Sequence, residues 1–171
     1  GDVVFSDKLG TNREEIFSNI GFLPESPKLF ENLTGRELLT FMGNLHNVGK
    51  LDIVERIESM SAHFEIQHAL DKSIKTYSKG MKQRVGVCAA TLHGPKLLIM
   101  DEPLSGLDPY GRLIFKNKIK KLNQNGVTVL LTSHILDDLQ EICENVVILD
   151  KGEVSPLSGK IKSLLDHKEL M

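Results

Sequence analysis

Leu97-Leu98-Ile99-Met100-Asp101-Glu102-Pro103 is an apolar run that ends in two adjacent carboxylates. Gly94-Pro95 precedes it and charge follows it, so the apolar residues read as a short strand covered on both faces, the pattern of a parallel sheet. Acids at the carboxyl end of such a strand stand where α/β sheets bind ligands. Asp101 can hold Mg²⁺ directly or through water, and Glu102 can orient or deprotonate a water that attacks a phosphate. A buried strand that merely emerges into a polar turn would show the same residues. The chemistry therefore rests on what accompanies them.

Downstream, the strand and helix patterns alternate. Asp108-Pro109 starts a helix with a side-chain cap and a proline at the first helical position, where no amide is needed. Phe115, Ile119 and Leu122 form its apolar stripe, and Gly126 follows its end. Residues 127–131 read as a second buried strand and residues 135–143 as a short helix. Residues 146–149 and the segment after Gly152 form a hairpin that turns at Lys151-Gly152. Upstream, strands are expected at residues 3–5 and 19–23, the second stopped by Pro24. From residue 25 to 93 the apolar residues recur at helical spacing. Thr34-Gly35-Arg36-Glu37 is a capping box, opening a helix with Leu38, Phe41, Met42 and Leu45 on one side. Further helices are expected over residues 51–64 and 79–92. The fold class is α/β, a mainly parallel sheet with an α-helical insert. Residues 1–24 and 94–154 form the core, 25–93 the insert and 155–171 a C-terminal tail.

Composition narrows the function classes. A chain of 171 residues with 40% apolar content builds one compact domain. Its 21 basic and 23 acidic residues give a net charge of -2, which supplies no long-range attraction for a polyanion, so nucleic acid is not an expected partner. The longest apolar stretches are strand-sized, far short of the ~20 residues that span a bilayer, and membrane contact is expected only through a partner. Cys88 and Cys143 lie far apart in apolar segments without metal-ligand spacing and read as buried, reduced thiols. The basic run at 116–121 reads as the solvated face of an amphipathic helix. Gly1-Asp2-Val3-Val4-Phe5 carries no initiator methionine and no leader, and reads as the middle of a longer protein.

Two further segments point to phosphoryl transfer. In Thr76-Tyr77-Ser78-Lys79-Gly80-Met81-Lys82-Gln83-Arg84, Ser78 caps a helix and Gly80 permits close backbone approach. A helix start with free amides and a hydroxyl suits a phosphate. Ser133-His134 follows the apolar residues 127–131 and puts an imidazole at a strand end. Here the sequence resembles the ATP-binding-cassette ATPase family. Residues 77–81 resemble its signature motif, 98–102 its Walker B strand, Ser105-Gly106-Leu107-Asp108 its D-loop and His134 its switch histidine. Ile20-Gly21-Phe22-Leu23-Pro24-Glu25 resembles the strand that leads to its Q-loop. The forms Leu-Pro-Glu, Tyr-Ser-Lys-Gly-Met and Asp-Glu-Pro-Leu-Ser-Gly-Leu-Asp look like the branch that drives efflux of drugs, antibiotics and polysaccharides. Departures are Glu25, where a glutamine usually meets the metal, and Lys79 and Met81 within the signature. A carboxylate ligates Mg²⁺ at least as well as an amide oxygen.

The resemblance implies a P-loop NTPase-like core and an ATPase that uses ATP and Mg²⁺. Asp101 and Glu25 would attend the metal, Glu102 would act as base and His134 would contact the γ-phosphate. Ser78, Lys79, Gly80 and Asp108 would meet nucleotide across a face-to-face dimer with a second ATPase subunit. The helical insert would dock on a transmembrane permease, holding the protein on the cytoplasmic face of the cell membrane. The family's phosphate loop, G-x-x-x-x-G-K-[ST], is not present. Gly43-Asn44-Leu45-His46-Asn47-Val48-Gly49-Lys50-Leu51 has one residue too many between its glycines and reads as an inter-helix turn. The loop, its strands and the first helix are expected upstream, and the residues as given are expected to bind ATP poorly by themselves. Two alternatives stay open: a soluble relative acting on ribosomes or DNA, and a non-catalytic binding module.

Overall fold

The computed structural model describes residues 2–156 and 158–161. The chain divides into two compact units, residues 1–132 and 133–171. In the first, strands β1 (Ile20–Leu23), β2 (Leu97–Met100) and β3 (Thr128–Leu131) run parallel in the order β1-β2-β3. Helix α1 (Arg13–Ser18) precedes β1. Between β1 and β2 lie α2 (Gly35–Leu45), α3 (Lys50–His63) and α4 (Lys79–Thr91), and between β2 and β3 lies α5 (Pro109–Gln124).

Local chemistry fixes the helix starts. Thr34 accepts from the Glu37 amide at 3.2 Å while the Glu37 carboxylate accepts from the Thr34 amide at 2.8 Å, so the capping box is formed in full. Ser78 caps α4 and Asp108 caps α5, with Pro109 in its first turn. The helix expected over 51–64 and the inter-helix turn before it are both present. Helix α1 was not expected. It is short, has no apolar stripe, and is started by Asn12, whose side chain accepts from the Glu15 amide at 3.0 Å.

The sheet has unequal faces. Leu23, Leu98 and Met100 are buried on the side that packs against α4, where Gly21 and Gly86 let helix and strand approach. On the other side Phe22, Ile99 and Leu130 stand in one cross-strand row, with Phe22 59% and Leu130 57% exposed. The expectation of a buried strand at 127–131 is corrected: β3 forms, but none of its residues is buried, Thr128 and Leu130 being exposed and Val129 and Leu131 partly covered.

Other expectations also change. Residues 3–5 form no strand and pair with none among the described residues, and Val3 and Val4 are exposed. In α2 the inward row is Gly35, Leu38, Leu39 and Gly43, which meets α3 and α4, while Phe41 and Leu45 are exposed. Phe41 instead packs edge-on against Phe30, with ring centroids 5.8 Å apart. The basic run of α5 is not wholly solvated, since Lys116 is buried and the Lys118 ammonium sits 5.6 Å from the Phe64 ring centroid. Long aliphatic stems let such residues cover apolar surface. Both cysteines are free thiols. Cys88 is fully buried, which pushes its thiol up to about 12, whereas Cys143 is only partly buried.

The second unit contains α6 (Leu136–Ile142) and two small antiparallel ladders. Strands β5 (Leu149–Asp150) and β6 (Glu153–Val154) form the expected hairpin, with Lys151 and Gly152 both at positive φ. Residues 155–171 were expected as a tail, but Gly159–Lys160 form β7 and pair with β4 (Asn145–Val146); residues 162–171 lie outside the described set. No helix among the described residues is long and apolar enough to cross a membrane.

Two predictions follow from this packing. A Cβ on Gly21 would collide with the Ala90 carbonyl oxygen, a backbone atom that cannot swing away. Gly21→Ala is therefore expected to cost about 1–3 kcal/mol, the usual range for overpacking, read as a lower urea midpoint by far-UV circular dichroism. The second concerns pH. His46, at the end of α2, stacks on His93 with ring centroids 3.8 Å apart, and the His93 Nε2 lies 3.2 Å from the Ile20 carbonyl oxygen. Burial, with His46 and Arg56 nearby, pushes His93 down to about 4. Because the unfolded chain binds this proton more readily, the contribution of His93 is complete above about pH 6.5 and declines as pH falls towards 4. Unfolding midpoints should drop between about pH 6.5 and 5, before most carboxylates titrate, and His93→Gln should flatten that slope.

Candidate functional site

Strands β1 and β2 are aligned with Leu23 opposite Met100, so Pro24-Glu25 and Asp101-Glu102 leave adjacent strands at the same edge of the sheet. The Asp101 amide donates to the Leu23 carbonyl at 2.8 Å, extending the ladder by one residue. On the other side, the Thr132 amide donates to the Met100 carbonyl at 3.0 Å. The Thr132 hydroxyl then does two things. It donates to Asp101 Oδ1 at 2.5 Å and accepts from the Glu102 amide at 2.9 Å.

Glu102 carries φ of 43°, the left-handed region. For a residue with a Cβ this costs about 1–2 kcal/mol, and it persists only where the surroundings over-determine it. They do so here. Thr132 holds its amide, and its carbonyl accepts from the Ser105 amide at 3.0 Å. Glu102 is itself only partly exposed.

A second cluster forms where α4 and α5 begin. Ser78, Lys79, Gly80 and Arg84 of the α4 segment line one side of a cavity of about 520 Å³, and Gly106 and Asp108 line the other. Ser78 Oγ accepts from the Met81 amide at 3.2 Å, and Asp108 Oδ1 accepts from the Gly111 amide at 2.6 Å. Apart from the Met81 amide taken by Ser78, the first-turn amides of α4 have no acceptor within the helix and are open to an anion.

The structure thus brings Ser78, Lys79, Gly80 and Asp108 together, and places Asp101 and Glu102 side by side. Glu25 is exposed just beyond β1. His134 is exposed and belongs to the second unit, after β3 and before α6. Residues that sequence reasoning did not single out are Thr132 and Gln83. Thr132 stands one residue before the Ser133-His134 pair, and a hydroxyl directly after an apolar strand was the available signal. Gln83 is fully buried, and its Nε2 donates to the Pro103 carbonyl at 3.3 Å. No periodicity marks it.

The donor set suits a hard cation. Among the described residues no three His, Cys, Asp or Glu side chains gather tightly enough to enclose a metal. Asp101 and Glu25 offer carboxylate oxygens at one sheet edge, which fits Mg²⁺, an ion held by one or two carboxylates together with phosphate and water.

A family model described as ABC transporter matches residues 1–105. The chain belongs to the ABC transporter family. It is 39% identical over 150 residues to the uncharacterized ABC transporter ATP-binding protein YxlF of Bacillus subtilis (strain 168), covering 88% of this chain and 50% of that protein. It is 36% identical over 151 residues to the bacitracin transport ATP-binding protein BcrA of Enterococcus faecalis, covering 85% of this chain and 48% of the relative. A solved structure titled as the ATP binding subunit of an ABC transporter superposes with a TM-score of 0.82 at 29% identity, over 92% of this chain and 65% of that one. The chain spans about half the length of the curated relatives it matches. As a member of this family it carries its parallel sheet and helices as part of an ABC ATPase domain.

The Thr132 hydroxyl gives this site a testable joint. Thr132→Val keeps the shape but removes both hydrogen bonds and leaves the Glu102 amide without its partner. A loss of about 1–3 kcal/mol is expected, read by urea unfolding, together with faster hydrogen exchange at the Glu102 amide.

Proposed function

We propose that the intact protein is the ATP-hydrolysing subunit of an ABC transporter, in which ATP-driven closure of a dimer of such subunits moves a membrane permease. The observation that carries this reading is Glu102 itself, a carboxylate held at a left-handed turn beside Asp101 at the end of a parallel strand. In this reading Asp101 and Glu25 hold Mg²⁺, which when bound neutralises charge on the transferring phosphate. Glu102 takes the proton of the attacking water, and His134 contacts the γ-phosphate. Ser78, Lys79, Gly80 and Asp108 meet the nucleotide held by the second subunit, homologous or identical.

The exposed Phe22 and Leu130, together with the greater length of the relatives, support a further segment of the protein packing on that face and bearing the phosphate loop. Residues 25–93 serve as the insert that docks on the permease, and through it the protein sits at the cytoplasmic face of the membrane. The relative named for bacitracin transport supports an antibiotic-like cargo. The net charge of -2 favours a permease partner over nucleic acid.

Catalysis is tested in the intact protein. Glu102→Gln should lower ATP turnover by about 10²- to 10⁴-fold, the contribution of a general base, while nucleotide binding persists in equilibrium dialysis. Turnover at the wild-type rate would remove Glu102 from the mechanism.

A further inference from the structure

We propose that Gln83 and Lys79, one turn apart on α4, are positioning residues that hold the loop after β2 and thereby set where the Glu102 carboxylate stands. This rests on the reading of Glu102 as the base. Residues four apart share one face of a helix, and this face meets the loop at two successive points. Gln83, with no exposed surface, donates from Nε2 to the carbonyl of Pro103, the residue directly after Glu102. Lys79 Nζ donates to Ser105 Oγ at 3.3 Å, and the Ser105 amide in turn donates to the Glu102 carbonyl.

The loop is shaped to receive the lysine. Gly106 has φ of 73°, and a Cβ there would fall 2.8 Å from Lys79 Cδ, so the lysine stem occupies the space that a side chain at 106 would need. Glu102 is therefore gripped from two directions, by Thr132 on the β3 side and by α4 on the other. A left-handed glutamate with only one of these supports would relax towards ordinary strand or turn geometry, moving its carboxylate. Gln83 is too deeply buried to touch nucleotide, so any effect it has on turnover passes through the loop.

The test uses the intact protein with Gln83→Met, which keeps length but cannot donate, and with Lys79→Met and Lys79→Arg. The expected result is a kcat about ten- to a hundred-fold lower in both methionine variants, with melting temperature close to wild type in both and ATP affinity close to wild type in Gln83→Met, whose site cannot reach nucleotide. Recovery is expected with arginine at 79. In a Glu102→Gln background Gln83→Met should leave residual turnover unaltered, whereas a general loss of folded protein would lower it further. A kcat within two-fold of wild type for folded Lys79→Met overturns the proposal even if Gln83→Met fails to fold. If the wild-type protein proves not to hydrolyse ATP, the reading of Glu102 fails by itself. The loop contact is then read from hydrogen exchange at the Ser105 amide, which should quicken in Lys79→Met; an unchanged rate overturns it.

Discussion

Because a parallel strand ends where its neighbour's carbonyls run out, the residue after it must find new partners for its own backbone, and in this chain Thr132 supplies them. One hydroxyl closes the edge of β3 onto β2, orients the Asp101 carboxylate and fixes the Glu102 amide. The left-handed backbone at Glu102 depends on that bond, the turn to Ser105 depends on that backbone, and the placement of Gly106 and Asp108 depends on that turn. The cavity at the start of α4 is thus shaped by an interaction at the far side of the sheet edge.

The packing beneath this edge is equally constrained. Helix α4 lies close on β1 because Gly21 and Gly86 leave room for it, and the approach brings its first turns level with the loop that follows β2. A bulkier strand residue would lift the helix, and the contacts of Lys79 and Gln83 would be lost with it. Backbone spacing at two glycines therefore sets side-chain geometry at the carboxylates several residues away.

What could be read from the sequence was what is local. The caps at Thr34, Ser78 and Asp108 act within one turn, and each started a helix where expected. The apolar run at 97–100 was bounded by charge and by Gly-Pro and formed its strand with those ends. What could not be read was what depends on residues distant in the chain. Whether residues 3–5 become a strand depends on a neighbour, and whether Leu130 is buried depends on a covering layer. The stripe of α2 was read as Leu38, Phe41, Met42 and Leu45; contact with Ile53 and Leu92 instead selects the row through Gly43. At the site, the acids, Ser78, Gly80 and Asp108 were visible as residue types at strand and helix ends. Thr132 and Gln83 were not, because each acts on a segment at least twenty residues away in sequence.

The cavity at the start of α4 and α5 has an electrostatic character that follows from which of its groups are already engaged. The Asp108 carboxylate accepts from the Gly111 amide, so part of its charge serves the cap of α5. Ser78 Oγ accepts from Met81, which leaves its hydroxyl hydrogen to be donated outward. Arg84 is turned towards the Phe64 carbonyl and lies 3.9 Å from Glu65. The Lys79 ammonium donates to the hydroxyl of Ser105, a neutral acceptor that leaves its charge in place. A cavity that presents an ammonium, a donating hydroxyl and the first amides of a helix attracts an anion and orients it along the helix axis. The same lysine that braces the loop thus gives the cavity its positive end, and a ligand that draws Lys79 outward would pull directly on the loop that carries Glu102.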